Sequence, residues 1–381
     1  MKIYIHEIAV IWKYCFQKAV KNLETFYCKT KIITGSCGKI LENRKIQSLL
    51  LVTDPYFVEN GVARTLIADA KPGRSRIFHQ VVPDPSVELA ATGVGVMKEF
   101  HPDTVVALGG GSAIDCAKAM VYFYDQPVML IAIPTTSGSG SEVTDFSVLT
   151  HGDTKHPLID PKICPDVAIL DHSLLKNLPK KLIADTGFDV ISHALESFVA
   201  TDAGAITDAL AREAFCNAYA YLPASYRGDV SFRGKIHMAS TMAGMAFSQA
   251  GLGLCHAMAH SLGGMFHLPH GRLNAILLPA VVECNALMAT EKYAKLARAA
   301  GINGAADSVA VRNLRNGLIR LRRDLELPET LQQAGVSPRN LRQKSNQIVE
   351  AVLKDPCCKT NPMPVEDFMV RRILEAVAGH G

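Results

Sequence analysis

PDTVVALGGGSAIDCAK, Pro102–Lys118, decides the fold class. TVVAL is apolar and β-branched, which predicts a strand covered on both faces. Three glycines stop it, and SAIDCAKAMVYF then carries helical spacing from about Ser112. Glycine lets the backbone approach a pyrophosphate, and the positive end of the following helix would face it. A turn of this kind is also an ordinary structural turn, so its neighbours have to decide.

Working outward, KIQSLLLVTD reads as a buried strand ending at Asp54, QPVMLIAIPTT as another and PDVAILD as a further one. KTKIITGSCGKI has the look of an opening strand and turn. Short β-branched runs separated by helices predict a doubly wound, mostly parallel, dinucleotide-binding α/β domain over residues 26–182. Beyond Leu182 strand signals cease. ADTGFDVISHALESFVA, AITDALAREAFCNAYAYL, RGKIHMASTMAGMAFSQA and NAILLPAVVECNAL all have helical periodicity, which predicts an all-α domain over 183–381. Residues 1–25 stand apart as an amphipathic helical stretch that either packs on its own domain or docks on a partner.

A second polar glycine turn, PTTSGSGSE at Pro134–Glu142, follows the third strand. Two such turns at the carboxyl ends of strands point at one crevice, where open α/β sheets bind ligands. Asp54 either accepts hydrogen bonds from ribose hydroxyls or is a turn and N-cap residue before Pro55.

The helical half holds a second constellation. Asp189 and His193 lie four apart, as do His256 and His260, and His267 and His270 follow. Four of the thirteen histidines fall within fifteen residues. A carboxylate with imidazoles suits Fe²⁺, Zn²⁺ or Mn²⁺. A single pair of this kind is usually structural; two pairs beside a nucleotide-binding half are hard to explain as packing. Spacing does not distinguish His256 from His260 as a ligand, because both face the same way.

The bulk numbers narrow the class. The 381 residues are 48% hydrophobic and 20% charged, which fits a two-domain globular protein. A net charge of +4 argues against nucleic acid as the main ligand. The ten cysteines are scattered without a CxxC pair, which predicts reduced thiols in the cytoplasm. No apolar run reaches the roughly 18 residues of a membrane span, and the first residues make a poor signal peptide.

GGGSAIDCAK, IPTTSGSGSEVT, GFDVISHALE, GMAFSQAGLGLCHAMAHSLGG and LPHG…NAILLP together resemble the iron-containing (group III) alcohol dehydrogenases, from about Phe26 to KTNPMPVEDF. RGKIHMASTMAGMAFSQAGLGL and FHLPHG are most similar to the propanol dehydrogenases of propanediol-utilisation microcompartments. The resemblance implies reversible reduction of a short-chain aldehyde with NADH; the alternatives are a diol, lactaldehyde or butanol enzyme of the same group, or a catalytically idle assembly protein. It implies Fe²⁺, or Zn²⁺, held by Asp189, His193, His256 and His270, with His260 as a proton relay. It places NAD(H) on Asp54, Gly110, Gly111, Ser112, Asp115, Thr135, Thr136, Ser139, Lys155 and Leu170. A homo-oligomer and a microcompartment shell or lumen partner complete the expectation. One departure lies close to a ligand: Arg272 stands where the family has a small or apolar residue.

Overall fold

The computed structural model describes residues 25–152 and 154–379, with the side chains of Thr154 and Lys155 left aside. The N-terminal extension thus lies outside the described residues, except for Thr25.

Six parallel strands form the sheet of the first half: β1 (Lys31–Thr34), β2 (Ser48–Thr53), β3 (Arg74–Phe78), β4 (Thr104–Gly109), β5 (Met129–Pro134) and β8 (Val167–Leu170). Their order is β1-β8-β5-β4-β2-β3. Helices α1 (Cys37–Glu42), α2 (Pro55–Glu59), α3 (Val62–Ala70), α4 (Val87–Phe100) and α5 (Gly111–Phe123) accompany it. In β4, Val105 and Ala107 join one apolar cluster with Ile114 and Met120, while Val106 and Leu108 join another with Leu41 and Leu66. Alternate residues thus meet opposite layers, which is why the strand reads as a continuous apolar run. Each fully buried Val, Leu or Ile contributes roughly 1.5–3 kcal/mol.

The chain leaves β2 for β3 at the sheet edge and returns to β4 on the other side of β2. The order therefore reverses between β2 and β4, and the crevice beyond their carboxyl ends is the place where such sheets bind ligands. Two features lay beyond the sequence reading. RSRIF of β3 is an edge strand with only Phe78 buried, so it lacks an apolar run. The antiparallel hairpin of β6 (Phe146–His151) and β7 (Thr154–Ile159) forms a sheet of its own with mixed burial.

The second half is helical: α6 (Lys180–Val199), α7 (Ala205–Tyr226), α8 (Arg233–Ala250), α9 (Leu254–Phe266), α10 (His270–Ala299), α11 (Asp307–Asp324), α12 (Pro338–Lys354) and α13 (Asp367–Ala378). They share one core that includes Phe188, Phe198, Phe215 and Tyr293. By length and composition α10 could cross a membrane, but 61% of its apolar window is buried against the other helices, as in a core helix.

The two halves meet closely at the second glycine turn. Gly140 has φ +63°, and a Cβ there would lie 2.7 Å from the Cα of Gly244 in α8. Beside this crossing Thr241 Oγ1 donates to the buried Glu142 Oε1 at 2.7 Å. Lys118, fully buried, donates to Thr144 Oγ1 at 2.9 Å and to the Phe146 carbonyl at 2.8 Å. Burial lowers its pKa to about 8.

Gly244→Ala is expected to lower stability even though alanine is the better helix former. A Cβ at this position would lie 2.9 Å from the Gly140 backbone. Overpacking of that kind costs about 1–3 kcal/mol, against about 1 kcal/mol returned by helix propensity. A urea midpoint at or above the parent's would refute the close approach.

Candidate active site

The two glycine turns lie against each other. A Cβ on Gly110 would sit 3.1 Å from Thr136 Oγ1, and one on Gly111 3.1 Å from Ser139 Oγ. Thr135 N–H donates to the Gly109 carbonyl at 2.9 Å, extending the β4–β5 pairing into the turn. Ser112 is in the first turn of α5, at the rim of the crevice. Asp54 follows β2 and faces the same glycines, with Oδ2 3.7 Å from where a Gly109 Cβ would be. It occupies the N-cap position of α2 without making a side-chain capping bond, and its Oδ1 is buried with no hydrogen-bond partner. Burial raises its pKa.

Three other cofactor candidates have different surroundings. The Asp115 carboxylate accepts from Ser141 Oγ and, at 3.1 Å, from Val148 N–H. These bonds tie α5 to the second turn and the hairpin. Leu170 is fully buried at the end of β8, where its carbonyl accepts from Gly35 N–H at 3.2 Å. Lys155 pairs with Thr150 through the hairpin backbone, and its side chain lies outside the described residues.

Asp189, His193, His256 and His270 converge from three helices, with one potential ligand atom from each lying within 4.8 Å of the others. Asp189 and His193 project from one face of α6. His256 comes from the first turn of α9. A three-residue link, Pro269 last, lets α10 start at His270. Asp189 Oδ1 is 3.9 Å from His256 Nε2 and 3.7 Å from His270 Nε2. The His193 and His256 rings stack with centroids 4.5 Å apart.

The donors fit a divalent metal. Among the described residues no Lys or Arg pairs with Asp189, although it is buried. Burial, with neighbouring Asp185 adding to it, pushes its carboxyl up to about 7. His193 and His256 are held well below the usual imidazole range, first by burial. A buried carboxylate beside imidazoles kept neutral is a set that a cation completes. Asn274 Nδ2 donates to Asp189 Oδ1 at 2.7 Å and lies 3.3 Å from His256 Nε2.

Glu196, which the sequence reading passed over, orients the set. His256 Nδ1 is 2.6 Å from Glu196 Oε2, and the carboxylate also accepts backbone N–H bonds from Gly253, Cys255 and His256. With Nδ1 engaged, Nε2 faces the cluster, as is usual for a metal-binding histidine backed by a carboxylate. The available signal was spacing: Asp189, His193 and Glu196 run i, i+4, i+7 along one helical face.

His260 sits apart from the four. Its Nδ1 is 2.8 Å from Asp355 Oδ2, and its ring stacks on His270 with centroids 5.2 Å apart. Cys255 is fully buried, with its Sγ on the Asn274 carbonyl and side chain, as a structural thiol would be. Phe247 of α8 stacks on His193 at 4.4 Å and meets Phe146 at 5.8 Å, giving the cluster an aromatic wall. The glycine-turn crevice and the cluster adjoin: a Cβ on Gly138 would lie 2.8 Å from Thr186, one turn ahead of Asp189 on α6.

Residues 29–172 match the family described as iron-containing alcohol dehydrogenase, and residues 183–378 match the C-terminal part of the same family. The chain is 39% identical over 368 residues to the 1-propanol dehydrogenase PduQ of Salmonella typhimurium, spanning 93% of this chain and 99% of that one. It is 40% identical over 323 residues to the NADPH-dependent butanol dehydrogenase of Clostridium saccharobutylicum, spanning 79% and 83%. Its fold matches sulfoacetaldehyde reductase from Bifidobacterium kashiwanohense in complex with NAD⁺ with a TM-score of 0.86 at 26% identity, over 94% of this chain and 100% of that one. With both halves matched and near-complete relatives at this identity, the chain belongs to the iron-containing alcohol dehydrogenase family.

Proposed function

We propose that the protein reduces a short-chain aldehyde, propanal or acetaldehyde, to its primary alcohol with NADH, reversibly. The observation that carries this reading is the convergence of Asp189, His193, His256 and His270 beside a paired-glycine crevice at the sheet's switch point. We assign Fe²⁺ to those four residues, a donor set that also accepts Zn²⁺. We assign the pyrophosphate to Gly110, Gly111 and Ser112, and the nicotinamide side to Thr135, Thr136 and Ser139.

When bound, the divalent metal supplies Lewis-acid polarisation of the carbonyl oxygen and NADH supplies the hydride. The chain's own residues do the rest. Phe247 stacks on His193 and meets Phe146, so one side of the cluster offers an aldehyde's substituent apolar contact and no hydrogen bond. Asp355 holds His260 through Nδ1, which leaves Nε2 to pass a proton toward the product oxygen. Glu196 and Asn274 keep the His256 ring and the Asp189 carboxylate in fixed orientations.

Three outcomes test this reading. His270→Ala should lose bound metal and aldehyde reduction together, read by metal analysis of anaerobically purified protein alongside NADH oxidation. Full metal occupancy with full turnover would remove His270 from the ligand set.

NADH should be strongly preferred over NADPH. We assign the ribose to Asp54, which presents a buried carboxylate oxygen with no hydrogen-bond partner, so that a 2′-phosphate would meet like charge. Asp54→Gly should raise kcat/KM with NADPH, and equal use of both cofactors by the parent would count against the assignment.

Propanal should outperform lactaldehyde by about tenfold or more, because a second hydroxyl facing Phe146 and Phe247 would lose a hydrogen bond, at roughly 1–3 kcal/mol. Better turnover of lactaldehyde would sink the proposed substrate class.

A further inference from the structure

We infer that Asp185 and Arg272 form a positioning clamp that sets the place of His270 in the metal cluster; the inference rests on the metal-centre reading above. Arg272 Nε donates to Asp185 Oδ1 at 3.1 Å and its Nη2 donates to Asp185 Oδ2 at 2.7 Å, a two-pronged fork. The two side chains are only 13% and 10% exposed, so water competes weakly for the pair. Its ends lie next to the ligands. Asp185 is one helical turn ahead of Asp189 on α6, and Arg272 is two residues after His270 in the first turn of α10.

Between them, Gly271 rests on the Asp185 carbonyl so closely that any Cβ would collide with it. The fork and this backbone contact together fix the start of α10 on α6. His270 Nε2 is thereby held 3.7 Å from Asp189 Oδ1, a separation that a shared cation can bridge. A lysine at position 272 would keep the charge but not the planar fork.

The clamp also balances charge. Asp185 lies one helical turn ahead of Asp189 on α6, which puts a second carboxylate beside the ligand set. Arg272 pairs with it, so the Asp185 carboxylate does not add its charge to that of Asp189 toward an incoming cation. The two partners therefore differ in what their loss does. Removing Asp185 both releases α10 and leaves an unpaired guanidinium near the metal. Removing Arg272 releases α10 but leaves a carboxylate that attracts the metal.

The test is divalent-metal affinity, measured with Co²⁺ and Zn²⁺ by anaerobic chelator competition, with the visible Co²⁺ spectrum as a readout of ligand geometry. Circular dichroism of the metal-free proteins checks the fold. Asp185→Asn should weaken binding about 10–100-fold, the range for loss of groups that orient metal ligands. Arg272→Leu should weaken it less than Asp185→Asn. Arg272→Lys, the mildest change, should weaken it and shift the Co²⁺ spectrum. The double variant Asp185→Asn/Arg272→Leu should lose less than the product of the two single losses, because each single variant already breaks the same fork and the double variant loses it only once.

Parent-like affinity and spectrum in Arg272→Lys would overturn the clamp, as would strictly multiplicative losses in the double variant. Should Asp185→Asn fail to fold, the Arg272→Lys arm decides alone. Absence of metal binding in the parent protein would instead overturn the metal-centre reading itself.

Discussion

A carboxylate buried without a basic partner sets the terms for the helical half. Asp189 sits among three imidazoles, with no Lys or Arg pairing with it among the described residues. Moving an isolated carboxylate out of water costs several kcal/mol even after relaxation. The protein does not lower that cost with a guanidinium or an ammonium, which would also occupy the space between the four donors. It surrounds the group with neutral nitrogen donors and one amide instead. That choice is unfavourable for an empty pocket and favourable for one that takes a divalent cation.

Placement follows from rigid elements. The four donors come from α6 and from the first turns of α9 and α10, so their spacing is set by helix packing rather than by loop conformation. Asn361 extends the control to the far end of the chain. Its Oδ1 accepts from the Leu254 N–H at the start of α9, while its Nδ2 donates to Asn285 of α10. The glycine-turn crevice is built differently. Its two turns need backbone proximity more than side-chain chemistry, and the glycines of one turn nest against the hydroxyl residues of the other.

Much of this was legible in the sequence because its causes are local. A strand buried on both faces must be apolar throughout, so β2, β4, β5 and β8 were visible as runs. Helices that share a core must show their period, and α6, α7, α8 and α10 did. The edge strand β3 and the hairpin were not legible, since an exposed edge imposes no apolar pattern and RSRIF carries none. The choice between His256 and His260 could not be read from spacing, because one helix face carries both; partners distant in sequence separate them. Glu196 at position i+7 of the Asp189 face was readable as a third member of that row. Phe247 was not, since an aromatic in an apolar helix looks like core until its stacking on His193 is seen. The family resemblance placed the four donors together, but Arg272 was its odd residue, and only the distance to Asp185 gives that residue a partner.

Four carboxylates lie in or beside this cluster, and their partners differ. Asp185 is matched by the Arg272 guanidinium. Glu196 holds the His256 Nδ1 and three backbone N–H groups, so four hydrogen bonds already engage its two oxygens. Asp355 holds His260 and the Cys357 N–H. Among the described residues Asp189 has the Asn274 amide on Oδ1 and otherwise imidazole nitrogens beyond hydrogen-bond distance. A carboxylate with two oxygens can accept several bonds, so Asp189 is the one with coordination to spare. Among the described residues Asp189 is thus the acid that combines the fewest hydrogen bonds with no Lys or Arg partner, and it is the one whose oxygen lies within 4.8 Å of the three imidazole nitrogens.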